Sequence, residues 1–142
     1  AIEANWLAIA ISARKLAMTS RSHGVRFGRV APTVPVCDIA RALAFYCDVL
    51  GFKKTFENGN PVVFAILERD DAEVHLTLKP DHQASDRNVL HLLVSDARAL
   101  FGHLEKRGTQ MVKVLRDQPY GLRDFIVADP DGNRLDIGQH IE

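Results

Sequence analysis

The chain has 142 residues, one domain's length with room for a substantial core, and its 46% apolar and 25% charged residues are ordinary globular values. Eighteen cations balance eighteen carboxylates, which leaves no electrostatic footprint for nucleic acid. No stretch is long and apolar enough to span a bilayer, and the apolar run at 6–11 is followed, not preceded, by basic residues, which argues against a secretory signal.

The neutral charge is unevenly spread. Residues 1–30 carry Arg14, Lys15, Arg21, Arg26 and Arg29 against Glu3, so the remainder is acidic. The two cysteines, Cys37 and Cys47, show no CxxC spacing and read as reduced thiols of a cytoplasmic protein. Cys37 lies just before a helix start, where a thiolate would be favoured; the alternative is a small packed residue.

In chain order, Ile2, Trp6, Ile9, Ala13 and Leu16 recur at steps of three and four, one apolar stripe of an N-terminal helix over 2–18. Met18 is a candidate native start. A polar linker runs to residue 28. A strand follows over 29–36, then Asp38 as N-cap of a helix over 39–50, closed by Gly51. Strands over 52–57, 61–67 and 73–79 are separated by the Asn58-Gly59 turn and the charged turn Glu68-Arg69-Asp70-Asp71, read as solvated. After a polar linker over 80–87 the order repeats: strand 88–94, Asp96 as N-cap of a helix over 97–107, Gly108, strand 110–115, then strands 123–128 and 134–137 around Asp129-Pro130-Asp131-Gly132. Val36-Cys37-Asp38 matches Val94-Ser95-Asp96 at an offset of 58, and Gly51 matches Gly108 at 57. The chain therefore reads as an α+β fold of two βαβββ modules, about 29–80 and 88–140, forming a curled mixed sheet with helices on its outer face.

Period-two alternation divides the strands. Val34, Val36, Val74, Leu76, Leu78, Leu90, Leu92, Leu135 and Ile137 point toward the helices. Ala31, Thr33, Glu73, His75, Thr77, Val89, His91, Arg134, Asp136 and Gly138 line the open face. Curled round, that face forms a cleft suited to a small molecule. Phe45, Phe52 and Phe101 fall on core-facing patterns.

Two segments carry a family resemblance. Pro119-Tyr120-Gly121-Leu122-Arg123-Asp124-Phe125 with Asp129-Pro130-Asp131-Gly132-Asn133 resembles the end of a glyoxalase / bleomycin-resistance / dioxygenase domain, the vicinal-oxygen-chelate superfamily. Val34 to Asp38, Phe45-Tyr46 and Leu50-Gly51-Phe52 resemble its first strand and helix. In metal-using members of that family four cleft positions hold His, Gln or Glu. The resemblance places Ala31, His75, Val89 and Asp136 there, so two of the four cannot coordinate a metal. That pattern resembles the bleomycin-resistance branch, whose members bind and sequester the drug without metal or turnover in a cleft between two subunits. It implies a homodimeric binding protein for a small molecule, such as a cationic glycopeptide antibiotic, with Glu73, His75, His91 and Asp136 as polar lining and Phe56, Phe64 and Tyr120 as stacking surfaces. No metal, cofactor, nucleic acid or membrane is expected.

Alternatives stay open. His75 and Asp136, with His91 brought in by a bulge, would give a divalent-metal site for a lyase, isomerase, dioxygenase or thiol transferase of the same superfamily. His75 and His91 also read as plain hydrogen-bonding residues, and Asp136 as the ion-pair partner of Arg134 or Arg123. A third reading is an interaction module docked through the N-terminal helix. No Gly-rich phosphate loop, GxSxG or HExxH occurs.

Overall fold

A computed structural model describes residues 24–141. The N-terminal helix expected over 2–18 lies outside the described residues.

The chain is an α+β fold of two βαβββ modules. The first is β1 (Thr33–Val36), α1 (Ile39–Leu43) continued by a π-helical segment (Ala44–Val49), β2 (Lys53–Asn58), β3 (Phe64–Arg69) and β4 (Ala72–Leu78). The second is β5 (Asn88–Leu93), α2 (Ala97–Lys106), β6 (Met111–Asp117), β7 (Leu122–Ala128) and β8 (Arg134–His140). The strands form two separate four-stranded sheets, ordered β1-β4-β3-β2 and β5-β8-β7-β6. In each, the first strand pairs parallel with the last and the others are antiparallel.

Both helices start where the sequence places them. The Asp38 carboxylate accepts from Arg41 N at 3.0 Å, and that of Asp96 accepts from Ala99 N at 3.0 Å. Gly51 (φ 77°) and Gly108 (φ 72°) end them in the left-handed conformation that glycine tolerates. The first helix departs from expectation by widening to a π-helix after one turn, with Leu50 N donating to Phe45 O at 3.0 Å. Tyr46, wholly buried, and its neighbour Phe45 then both enter the core, their rings edge to face at 5.1 Å.

The apolar faces of both sheets and both helices share one core, running from Val34, Val36, Leu67 and Leu76 to Phe125, Val127, Leu135 and Ile137. Phe45 and Phe52 are buried in it, and Phe101 packs edge to face on Phe125.

A polar seam joins the modules. Asp129, 3% exposed, opens the turn between β7 and β8. One carboxylate oxygen accepts from the backbone N–H groups of Asp131 and Asn133, both at 2.9 Å. The other accepts from the Tyr46 hydroxyl at 2.8 Å and the Asn133 side-chain amide at 2.9 Å. Asn133 also donates to Pro35 O of β1, and the Arg41 guanidinium reaches Asp131. The turn is thus a clasp as well as a reversal. Cys37 donates to His82 O at 3.3 Å, and the neighbouring Asp131 carboxylate, with burial behind it, pushes its thiol up. It is a neutral packed residue, not the thiolate its helix-start position allowed.

Candidate functional site

On the first sheet, β4 presents Glu73 and His75 to the open face, where His75 Nε2 meets a Glu73 oxygen at 2.6 Å. Arg29, ahead of β1, bridges Glu68 and Glu73 and also donates to Asp71 O at 3.3 Å. Glu68 and Glu73 are direct cross-strand neighbours, so the guanidinium offsets a repulsion that the register imposes. The charged turn is therefore engaged, not merely solvated; Arg69, too, donates to Leu50 O at 2.7 Å. The hydrogen bond from His75, and beyond it the attraction of Arg29, hold the Glu73 carboxyl below its usual range.

An aromatic row runs across the same face. The Phe56 and Phe64 rings lie 6.4 Å apart, and Phe64 and His75 lie 5.4 Å apart, both edge to face. Phe56 is 51% exposed, so the row presents open aromatic surface. The residue that register places beside His75 is Thr33, not Ala31, which precedes the strand.

On the second sheet, the pairing shifts by one residue between Asn88 and Leu90. This bulge corrects the expected alternation: Val89 packs against the core, and His91 becomes the direct neighbour of Asp136. Their side chains form an ion-pair geometry, Nδ1 to Oδ2 at 3.1 Å. Asp136 does not pair with Arg134 or Arg123. Arg123 binds Asp117, its cross-strand partner, at 2.7 Å. Burial pushes the Asp136 carboxyl up, opposed by His91 and Lys113 and reinforced by Asp124.

Tyr120 is 66% exposed in the turn between β6 and β7, and its hydroxyl donates to Asp124 at 2.9 Å. Asp124 was absent from the sequence candidates. Its signal is the period-two alternation of β7, which sets Asp124 on the face opposite the core residues Phe125 and Val127 and beside Gly138.

The seven candidates thus fall into two groups. Glu73, His75, Phe56 and Phe64 share the first sheet; His91 and Asp136 share the second, and Tyr120 stands in the turn between its strands β6 and β7. Only Glu73 and His91 line one common cavity, of about 240 Å³, with Val30, Phe52, Leu90 and Leu135. Adjoining it, a groove of about 790 Å³ runs between the modules over Leu50, Phe52, Leu92, Leu93 and Leu100. Among the described residues of one chain, no three His, Cys, Asp or Glu side chains converge to hold a metal ion. A histidine–carboxylate pair on each sheet is short of the three protein ligands that catalytic centres use. No helix among the described residues is long and apolar enough to cross a membrane.

Comparison with known proteins agrees with this architecture. The bleomycin resistance protein of Geobacillus stearothermophilus is 29% identical over 129 residues, covering 78% of this chain and 96% of the relative. The protein of the same name from Staphylococcus aureus matches equally. Among solved structures, the bleomycin resistance determinant encoded on the transposon Tn5 superposes with a TM-score of 0.70 at 24% identity, covering 80% of this chain and 98% of that one. The bleomycin-binding protein of Streptomyces verticillus, solved with copper(II)-bleomycin, gives a TM-score of 0.60 at 25% identity, covering 80% and 96%. The family model described as Glyoxalase/Bleomycin resistance protein/Dioxygenase superfamily matches residues 26–137, and the chain belongs to that superfamily.

Proposed function

We propose that this protein binds and sequesters a cationic, aromatic antibiotic of the bleomycin type, without turnover, in a cleft completed by a second copy of the chain. The observation that carries the reading is the pairing of lining chemistry with its division. Each sheet offers a carboxylate–histidine pair and exposed aromatic surface, the recognition chemistry of a flat cation. Among the described residues, the cavity that touches both groups holds about 240 Å³, too small for a drug-sized ligand, whose pockets run to roughly 300–1,000 Å³. A homodimer that sets the first sheet of one copy against the second sheet of the other supplies the missing wall. The named relatives support the ligand class, and the two free cysteines suit a cytoplasmic setting.

The test is calorimetry with metal-free bleomycin alongside sedimentation equilibrium. The expected result is a dimer with one site per chain and a sub-micromolar Kd, roughly −8 kcal/mol or better. A monomer, or no heat of binding and no thermal stabilisation at about 100 µM drug, ends the reading.

Arg29 provides a second check. It already occupies Glu73, so an incoming cation must displace it. Arg29→Ala is expected to tighten bleomycin binding several-fold. The accompanying change in stability should stay within about 1 kcal/mol, as for exposed ion pairs. Weaker binding would show that Arg29 contacts the ligand itself.

The metal-enzyme reading is favoured by one observation, the bulge that seats His91 beside Asp136. Elemental analysis of protein purified without chelator decides it. One divalent ion per chain, lost on His91→Ala, would replace sequestration with metal chemistry.

A further inference from the structure

We propose that Asp124 is the positioning residue of the second sheet's ligand face, holding the turn at 118–121 so that the Tyr120 ring stands as a fixed aromatic wall. The inference rests on the ligand reading above and extends it to a residue that touches no ligand.

Asp124 lies on the open face of β7, opposite Gly138 of β8. It is acidic yet only 6% exposed. Its acceptors go to the turn. One oxygen takes the Gln118 side-chain amide at 2.9 Å and the other takes the Tyr120 hydroxyl at 2.9 Å. Arg116, its cross-strand neighbour on β6, reaches past it to donate to the Gln118 side-chain oxygen Oε1 at 3.3 Å. The chain Arg116–Gln118–Asp124–Tyr120 is a network of charge-assisted bonds with a buried hub.

The backbone of the turn closes independently of these side chains. Gln118 N donates to Leu122 O at 2.7 Å, Gly121 N to Gln118 O at 3.2 Å, and Gly121 takes φ 87°. Asp124 therefore decides where the turn's side chains go, not whether the turn forms. Gly138 leaves the space it needs: a Cβ there would stand 3.3 Å from the Asp124 Cβ. The result is a tyrosine whose hydroxyl end is tied down while its ring stays open. A wall fixed before binding spares the ligand the cost of ordering it. Donation to a carboxylate also pushes electron density into the ring, which favours a cationic or electron-poor partner.

Two readouts separate positioning from mere structure. The first is the tyrosine titration followed by absorbance, with Tyr120→Phe leaving only the buried Tyr46 as reference. The hydrogen bond to Asp124, then burial and the Asp124 charge, push the Tyr120 phenol above its ordinary 10.0. In Asp124→Asn it is expected to fall back toward that value; an unchanged titration overturns the proposal. The second is the affinity for metal-free bleomycin. Asp124→Asn and Tyr120→Phe should each weaken binding about tenfold, and the double variant should be no weaker than either within about twofold, since both cut one bond. Additive losses overturn the proposal. If Asp124→Asn does not fold, Tyr120→Phe decides: unchanged affinity counts against the tether. If the wild-type protein fails to bind bleomycin, the ligand reading falls, and the titration still judges the tether on its own.

Discussion

Asp129→Ala is expected to destabilise the protein by roughly 3–5 kcal/mol, the range for removing one side of a buried charged network. For a 142-residue chain that is a fall in Tm of roughly 6–20 °C. Asp129 is almost wholly buried and accepts four hydrogen bonds, from Asp131 N, Asn133 N, the Asn133 amide and the Tyr46 hydroxyl. Truncation leaves all four donors short of an acceptor in a site where Asp129 and Asn133 are almost wholly buried. The loss reaches across the molecule because Tyr46 belongs to the first module and Asp129 to the second. Tyr46→Phe removes only one of the four bonds and should cost about 1–2 kcal/mol. Urea denaturation reads both. Equal costs for the two variants would mean that the turn's internal bonds add nothing and that the clasp to Tyr46 is the whole effect. A loss under about 1 kcal/mol for Asp129→Ala would show that water enters the seam freely.

The parts of this fold that could be read in advance are those governed by local rules. Alternation in β4 and β8 assigned Val74, Leu76, Leu135 and Ile137 to the core because a strand has period two and these strands are regular. Asp38, Asp96, Gly51 and Gly108 bracketed the helices because caps act within one turn. The failures share a different cause. The bulge at Asn88/Leu90 inserts one residue and turns Val89 inward, and no residue type announces it. The same caps bracket residues 39–50 whether the segment is α or π, so the widening that buries Phe45 and Tyr46 together left no trace in the pattern. The first strand is four residues long, not eight: the backbone pairing with β4 begins at Pro32 O, which accepts from His75 N at 2.9 Å, and ahead of it Arg29 reaches the sheet through its side chain.

The candidate site divides along the same line. Glu73, His75, His91 and Asp136 were legible as polar residues on strand faces. Glu73 and His75 pair locally, two residues apart on one face, but the contact of His91 with Asp136 depends on register, and the grip of Arg29 on Glu68 and Glu73 spans 39 and 44 residues. Asp124 was invisible for a related reason. A carboxylate on an open face reads as solvated until the turn that folds over it is seen. The repeat offset of 58 separates Ala31 from Val89, but it equally separates Thr33 from His91, so duplication alone could not say which residues stand beside His75 and Asp136.

Asp136→Asn is expected to weaken binding of a cationic ligand by tenfold or more while leaving the free protein at least as stable at neutral pH. The two signs follow from one fact. The Asp136 side chain is 16% exposed, and burial outweighs the attraction of His91 and Lys113, so its carboxyl is pushed up from an ordinary 3.8. A carboxyl raised on folding binds more protons in the folded than in the unfolded chain between those two values. Its contribution to stability therefore declines as pH rises from about 3.8 through the folded value, and the cost stays in full above it. Asparagine keeps the shape and removes the ionisation, so the cost disappears. His91 loses its partner, but at 71% exposure water solvates it, and that loss stays under about 1 kcal/mol. Ligand binding responds in the opposite direction, because a desolvated carboxylate is an effective partner for a cation that excludes the remaining water. Urea midpoints at pH 4 and pH 7 test the first half: the variant's advantage should be present at pH 7 and shrink at pH 4. Calorimetry with metal-free bleomycin tests the second. A variant that is less stable at pH 7 and binds as tightly as wild type would assign Asp136 to the fold and remove it from the site. The predicted pattern, stability kept and affinity lost, marks a charge held against the preference of the fold for the sake of what it binds.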